Sequence, residues 1–177
     1  MKLSILNTLL FFLALLSSPS NISCNPRKPR RYKPLTDQAI ENLCQHTENP
    51  HLCSEILNKY IGTTISPALV GNLLDDLHNL ASETKRQMSN KPRNKPKFFA
   101  SCVEKFMRAK LRLKEAKEFI SEGKIADTKQ AVVLAKGNVN DCDVLANENR
   151  QQSTIWRATK RFGYMCSVVL VVCDRTG

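Results

Sequence analysis

Between residues 99 and 120 the apolar side chains keep one spacing. Phe99, Cys102, Phe106, Ala109, Leu113, Ala116 and Ile120 follow one another at steps of three and four. At 3.6 residues per turn these positions share one face of an α-helix, and the alternation makes a narrow seam of the kind helices use to pack side by side. Glu104, Lys105, Arg108, Lys110, Arg112 and Lys114 lie mostly off the seam. Gly123 is the natural stop, since glycine enters the left-handed backbone region without a Cβ clash. One such helix cannot bury its seam alone, and three more segments carry the same pattern. Ser66-Pro67, a cap followed by proline at the first helical position, precedes Leu69, Leu73, Leu77, Leu80, Thr84 and Met88. A third segment runs through Ile125, Thr128, Val132, Ala135, Val139 and Cys142, and a fourth through Ile155, Ala158, Phe162, Met165, Val169 and Val172. Lys91 to Lys97, with Pro92 and Pro96, separates the first two. No stretch sustains an alternation of period two, and only Val168 to Val172 is β-rich enough to read as a strand. The fold class expected is all-α: an up-and-down four-helix bundle.

A short helical hairpin should precede the bundle. Thr36 caps one helix through Leu43, and Asn49-Pro50 repeats the cap-then-proline signal for a second, with Cys44 before the turn and Cys53 after it. A bridge between Cys44 and Cys53 would pin that hairpin. Cys102 stands 21 residues before Gly123 and Cys142 stands 19 after it. At 1.5 Å per residue they lie roughly 31 Å and roughly 28 Å from the turn, nearly level on antiparallel neighbours. A Cys102–Cys142 bridge therefore needs no distortion of the bundle.

These cysteines are disulfide candidates because the chain is read as exported. Met1 and Lys2, the apolar run Leu3 to Leu16 and the small residues Ser18 and Ser20 form a secretory signal peptide over residues 1–20. The run is shorter than a bilayer-spanning helix, and no membrane attachment is expected of the mature form. Residues 21–35, with Pro26, Pro29 and Pro34 among basic residues, read as a flexible arm, and residues 36–177 as the helical domain. Asn21-Ile22-Ser23 is a glycosylation sequon. The cysteines number seven, so besides the two pairs Cys24, Cys166 and Cys173 remain, and at least one is free, joined to another chain or lost in processing.

The formal charge is +11, concentrated at Arg27, Lys28, Arg30, Arg31 and Lys33 and again over Lys85, Arg86, Lys91, Arg93, Lys95 and Lys97. Without a zinc finger, an RRM signature or interleaved aromatics, and with export, nucleic acid is not expected as a partner. Solvated linkers kept soluble by charge are one reading, and contact with an acidic polysaccharide or acidic protein is the other. The symmetric cluster Cys44, His46, His51 and Cys53 imitates a zinc site, but one residue between ligands leaves poor room for tetrahedral geometry. Asp75 and Asp76 are adjacent, so on a helix they splay apart and make no acid–base pair. No G-x-S-x-G, H-E-x-x-H, phosphate loop or dinucleotide fingerprint occurs, and neither an enzyme nor a cofactor or metal is expected. Met165 to Cys173 is apolar but too short to span a membrane, and it reads as a buried last helix.

The signal peptide, the C-x8-C spacing Cys44-QHTENPHL-Cys53, the Ser101-Cys102-Val103 opening of the seam helix and Cys142 after a second helix together resemble the plant invertase and pectin methylesterase inhibitors. The resemblance runs from about Thr36 to the C-terminus. Thr47 and Pro50 between the first two of these cysteines, and Asp143 after the fourth, match the family's marks. Two departures stand out. Lys136 follows Ala135 where the family has Ala-Leu, and Gly123-Lys124-Ile125-Ala126 stands where invertase inhibitors often have Pro-Lys-Phe. The resemblance implies pairing of the first cysteine with the second and of the third with the fourth. It also implies a secreted inhibitor in the plant cell wall whose bundle covers the substrate cleft of a protein partner. The missing Pro-Lys-Phe favours pectin methylesterase over acid invertase as that partner. A basic protein held on acidic pectin without inhibiting is the reading from a different class.

Export predicts a mature chain that begins at or near Asn21. N-terminal sequencing of secreted material checks this, and a chain that retains Met1 inside the cell refutes it.

Overall fold

The computed structural model describes residues 32–89, 98–148 and 155–176. The expected signal peptide of residues 1–20, Asn21, Cys24 and Lys91 to Lys97 lie outside them. Six helices are present among the described residues: α1 Asp37–Cys44, α2 Pro50–Asn58, α3 Pro67–Ser89, α4 Phe98–Ser121, α5 Ile125–Glu148 and α6 Ile155–Thr176. The β-rich stretch Val168 to Val172 is helical, because its valines have apolar neighbours to pack on and tertiary burial outweighs the modest helix cost of β-branching.

The four long helices form a ring in chain order, α3 beside α4, α4 beside α5, α5 beside α6 and α6 back beside α3. Neighbours run antiparallel. Asp75 early in α3 meets Lys117 late in α4, Cys102 meets Cys142, and Lys129 early in α5 meets Asp174 at the end of α6. The seams face inward as their spacing requires. Cys102, Phe106, Ala109 and Ala116 of α4, Val132, Ala135 and Val139 of α5, and Phe162 and Val172 of α6 have no solvent exposure. Phe106 and Phe162 meet edge to face, with ring centroids 5.9 Å apart at 76°. The buried hydroxyls of Thr84 and Thr128 return to the carbonyls of Leu80 and Lys124, and that of Thr159 donates to Asp143 and to Trp156. Among the described residues no buried side-chain nitrogen or oxygen lacks a partner.

Local chemistry sets the helix ends. Thr36 Oγ1 accepts the Ala39 amide and Asn49 Oδ1 accepts the Leu52 amide, so two of the three predicted caps, those of the hairpin, form through their side chains. Gly123 has φ +73°, the Lys124 amide reaches the Phe119 carbonyl and the Gly123 amide reaches that of Ile120. That pair of bonds is a Schellman motif, and it turns α4 tightly into α5.

The expected flexible arm through residue 35 ends sooner. Ile65 donates to the Lys33 carbonyl, Leu35 exchanges bonds with Gly62 and Thr63, and Pro34 lies opposite Thr64 in an antiparallel bridge. Proline has no amide to offer, so the bonds come from its neighbours, and the driving force is Leu35, which is buried at 1% exposure.

The α1–α2 hairpin rests on α6, and an ion pair fastens its turn to the bundle. Lys136 Nζ on α5 donates to Glu48 Oε1 at 2.5 Å and to Ser167 Oγ on α6 at 3.1 Å. A leucine at position 136 would have no such reach. The lysine stem crosses α6 at Gly163, where an added Cβ would stand 3.7 Å from Lys136 Cε. The hydrogen bond from Lys136 holds the Glu48 carboxyl below the usual range.

Two predictions follow from these ties. Unreduced peptide mapping should recover Cys44 with Cys53 and Cys102 with Cys142. Their sequence separations are 9 and 40, so chain entropy assigns about 3 kcal/mol to the short loop and about 4 to the long one. Denaturant melts of Cys102→Ser should therefore show the larger loss, and the reverse order would mean that the loop model fails here. For the latch, Lys136→Leu should speed amide exchange in residues 37–58 while changing global stability by less than about 1 kcal/mol. Because folding lowers the Glu48 pKa, the stabilisation is complete above the ordinary carboxylate range and is lost as pH falls through the lowered folded value. Hairpin exchange in the native chain should accordingly approach that of the variant only in strong acid.

Candidate functional site

The residues that first suggest chemistry are used structurally. Cys44 and Cys53 are bridged with Cα atoms 5.5 Å apart, and His46 and His51 beside them are exposed. Among the described residues no group of three or more histidine, cysteine or acidic side chains could hold a metal ion. Asp75 and Asp76 splay apart, but neither is merely solvated. Asp75 holds Lys117 of α4 at 2.6 Å, while Asp76 accepts from the Tyr60 hydroxyl at 2.9 Å. Burial and that bond push the Tyr60 phenol up to about 12. Thr47 Oγ1 donates to the Cys44 carbonyl at 2.7 Å, and Pro50 opens α2. Asp143 accepts from Thr159 at 3.2 Å and pairs with Lys160 at 3.4 Å, which ties α5 to the start of α6.

Cys102 and Cys142 are bridged with Cα atoms 4.9 Å apart. Cys166 and Cys173 are free thiols inside the bundle. Burial raises both, Cys173 to about 12, so neither offers a thiolate near neutral pH. Asn21 and Cys24 lie outside the described residues.

The surface is more informative. On α3 the outward stripe is polar: Asn72, Asp75, Asn79, Glu83 and Arg86. On α6 the hairpin covers part of the outer side. The outer face of α4 and α5 is different, because Met107, Leu111, Val133, Leu134 and Val144 are all exposed there, Leu111 at 62% and Val144 at 55%. Between the two helices runs an open cleft of about 480 Å³ with Glu104, Arg108, Val144 and Leu145 on its walls. The Lys105–Asp141 pair at 2.6 Å joins those walls. Apolar side chains set among charged ones, on a pair of helices tied at both ends, suit reversible burial against another protein.

The seam spacing by itself does not single out this face. A signal was present: on a helical wheel Leu111 lies opposite the Cys102–Phe106–Leu113 seam, and Val144 lies away from the Val132–Val139–Cys142 seam. Apolar residues out of phase with a well-defined seam either fill a second contact or meet water.

The sequence profile of the plant invertase/pectin methylesterase inhibitors matches residues 38–172. Pectinesterase inhibitor 1 of Arabidopsis thaliana is 24% identical over 147 residues, which cover 79% of this chain and 83% of that protein. The crystal structure of a mutant form of a pectin methylesterase inhibitor from Arabidopsis superposes with a TM-score of 0.68 at 22% identity, covering 78% of this chain and 97% of the other. A second structure, of a pectin methylesterase inhibitor from Arabidopsis thaliana, gives 0.55 at 22% identity over 79% and 97%. The profile match begins inside α1 and ends inside α6, so it takes in hairpin and bundle together. This chain therefore belongs to the plant invertase/pectin methylesterase inhibitor family, whose members are inhibitors and not catalysts, and it is not an enzyme.

Proposed function

We propose that the chain is a secreted inhibitor of a pectin methylesterase and acts by laying the α4–α5 face over the enzyme's substrate cleft. The supporting observation is that face itself: two 24-residue helices, a disulfide across them and outward apolar residues on both. The relatives' names supply the partner, since the matched Arabidopsis proteins are inhibitors of pectin methylesterase. A face already rigid loses little conformational entropy on docking, so less binding energy is spent on ordering it. The pH of a plant cell wall is mildly acidic, where histidines gain charge, but His78 contributes little. Burial, with Lys110 beside it, holds its pKa below the usual imidazole range.

The test is a paired assay of the folded, bridged protein against a plant pectin methylesterase and an acid invertase. Near-equimolar loss of esterase activity is expected, with invertase unaffected. Inhibition of invertase alone would reassign the target, and inhibition of neither would refute the proposal. Leu111→Asp combined with Val144→Asp should weaken esterase inhibition about tenfold or more, as expected for two anchors at an interface centre. Each site is largely exposed, so thermal melts should show a change within about 0.5 kcal/mol per substitution. Full inhibition by the double variant would remove this face from the contact.

A further inference from the structure

The outer side of α6 carries a group of residues that, Lys160 apart, neither the ties described above nor the proposed docking uses. Trp156, Lys160 and Tyr164 stand four residues apart on one stripe, roughly 12 Å from end to end. Arg157 and Arg161 form a second stripe alongside. Together they line an open cleft of about 240 Å³ between α6 and α2, with Glu55 as its one acidic wall residue.

Among the described residues the two arginines there have no ion pair, unlike those of α3 and α4. Arg86, Arg108 and Arg112 each hold a glutamate three or four residues away on their own helix. On α6 no acidic residue occurs between Ile155 and Cys173. Among the described residues no ion pair or hydrogen bond engages the side chain of Arg157 or Arg161, and Lys160 has the 3.4 Å contact with Asp143. Cations four residues apart on a helix repel each other, so their clustering favours an anion brought from outside. Guanidinium groups match carboxylates in a two-pronged geometry. Trp156, at 44% exposure, and half-buried Tyr164 flank the cations with flat apolar rings, which stack on the C–H faces of sugars. The cleft is smaller than the roughly 300–1,000 Å³ typical of enclosed small-molecule pockets. It would seat a single ring while the rest of a chain ran along α6.

We propose that this cleft binds an oligosaccharide whose rings carry free carboxylates, with Arg157 and Arg161 on the carboxylates and Trp156 and Tyr164 on the rings. The assignment of that ligand as demethylated pectin rests on the proposed function, since it is the product of the enzyme that would be inhibited. The cleft lies on α6 and α2 and the apolar docking face on α4 and α5, so the inhibitor would be retained where the esterase has already acted.

Trp156 is the only tryptophan in the chain, so its fluorescence reports on the cleft directly. The mature protein is titrated near physiological salt with an unesterified oligogalacturonate, its methyl-esterified counterpart, polyglutamate and a single-stranded oligonucleotide. A saturable change in emission with the unesterified sugar alone is expected. Arg157→Ala with Arg161→Ala should weaken binding about tenfold or more, because two charge-assisted contacts are lost. Removing two cations elsewhere, by Lys110→Ala with Lys114→Ala, should change it by no more than about twofold. Calorimetry of Trp156→Ala, which leaves the net charge intact, should show weakened binding. All three sites changed in the cleft are exposed, and a thermal melt of each variant confirms folding. Equal binding of the methyl ester, tighter binding of either of the other polyanions, or an equal loss from the distant lysines would overturn the proposal. Esterase inhibition by the arginine variant is measured in parallel. That variant should still inhibit; in the native protein, inhibition without sugar binding overturns this cleft alone, whereas sugar binding without inhibition overturns the proposed function alone.

Discussion

The register between α4 and α5 supports most of what the molecule presents. It is held at two points far apart along the pair: the Schellman turn at Gly123 and the Cys102–Cys142 bridge roughly 30 Å away. Two helices joined only by a turn can splay at their open end, and two joined only by a bridge can pivot about it. With both in place, a slide by one helical turn, about 5.4 Å, would break the bridge geometry. Leu111 and Val144 owe their fixed places to this, because each projects outward from one member of the same locked pair.

The remaining helices close the bundle around that pair, and the hairpin then decides which outer surface stays open. Its helices lie against α6, and Glu48 in its turn is held by Lys136 of α5 and lies near Ser167 of α6. One long cation thereby fastens the hairpin and leaves the outer face of α4 and α5 uncovered. The same placement makes the small basic and aromatic cleft, since α2 supplies the second wall beside Arg157 and Arg161. Two surfaces of different chemistry thus arise on different sides of a single bundle.

Acidic and nucleophilic groups that might have suggested catalysis are occupied by structural ties. Asp75, Asp76 and Asp143 each bind a cation or hydroxyl from another element, and both free thiols in the described residues are buried in apolar surroundings that disfavour ionisation. This fits a family of inhibitors, for which shape and rigidity matter more than a reactive side chain.

The amino-acid sequence by itself determined the helices, their inward faces and their ends. Apolar spacing of three and four, the caps Thr36 and Asn49 and the left-handed turn at Gly123 are interactions within a few residues, readable without knowing any neighbour. The level placement of Cys102 and Cys142 was legible for a related reason: one short turn and a constant rise per residue relate the two helices. At residues 33–35 Pro34 and its basic neighbours suggest a free arm, and the backbone instead pairs with residues 62–65. Only tertiary structure decided that pairing, the meeting of Lys136 with Glu48, the division of Asp75 and Asp76 between α4 and Tyr60, and the gathering of α2 and α6 into a cleft. Each joins side chains or strands from separate elements, and the adjacency and rotation of packed helices are set by the summed fit of the core. No local pattern of charges encodes that sum.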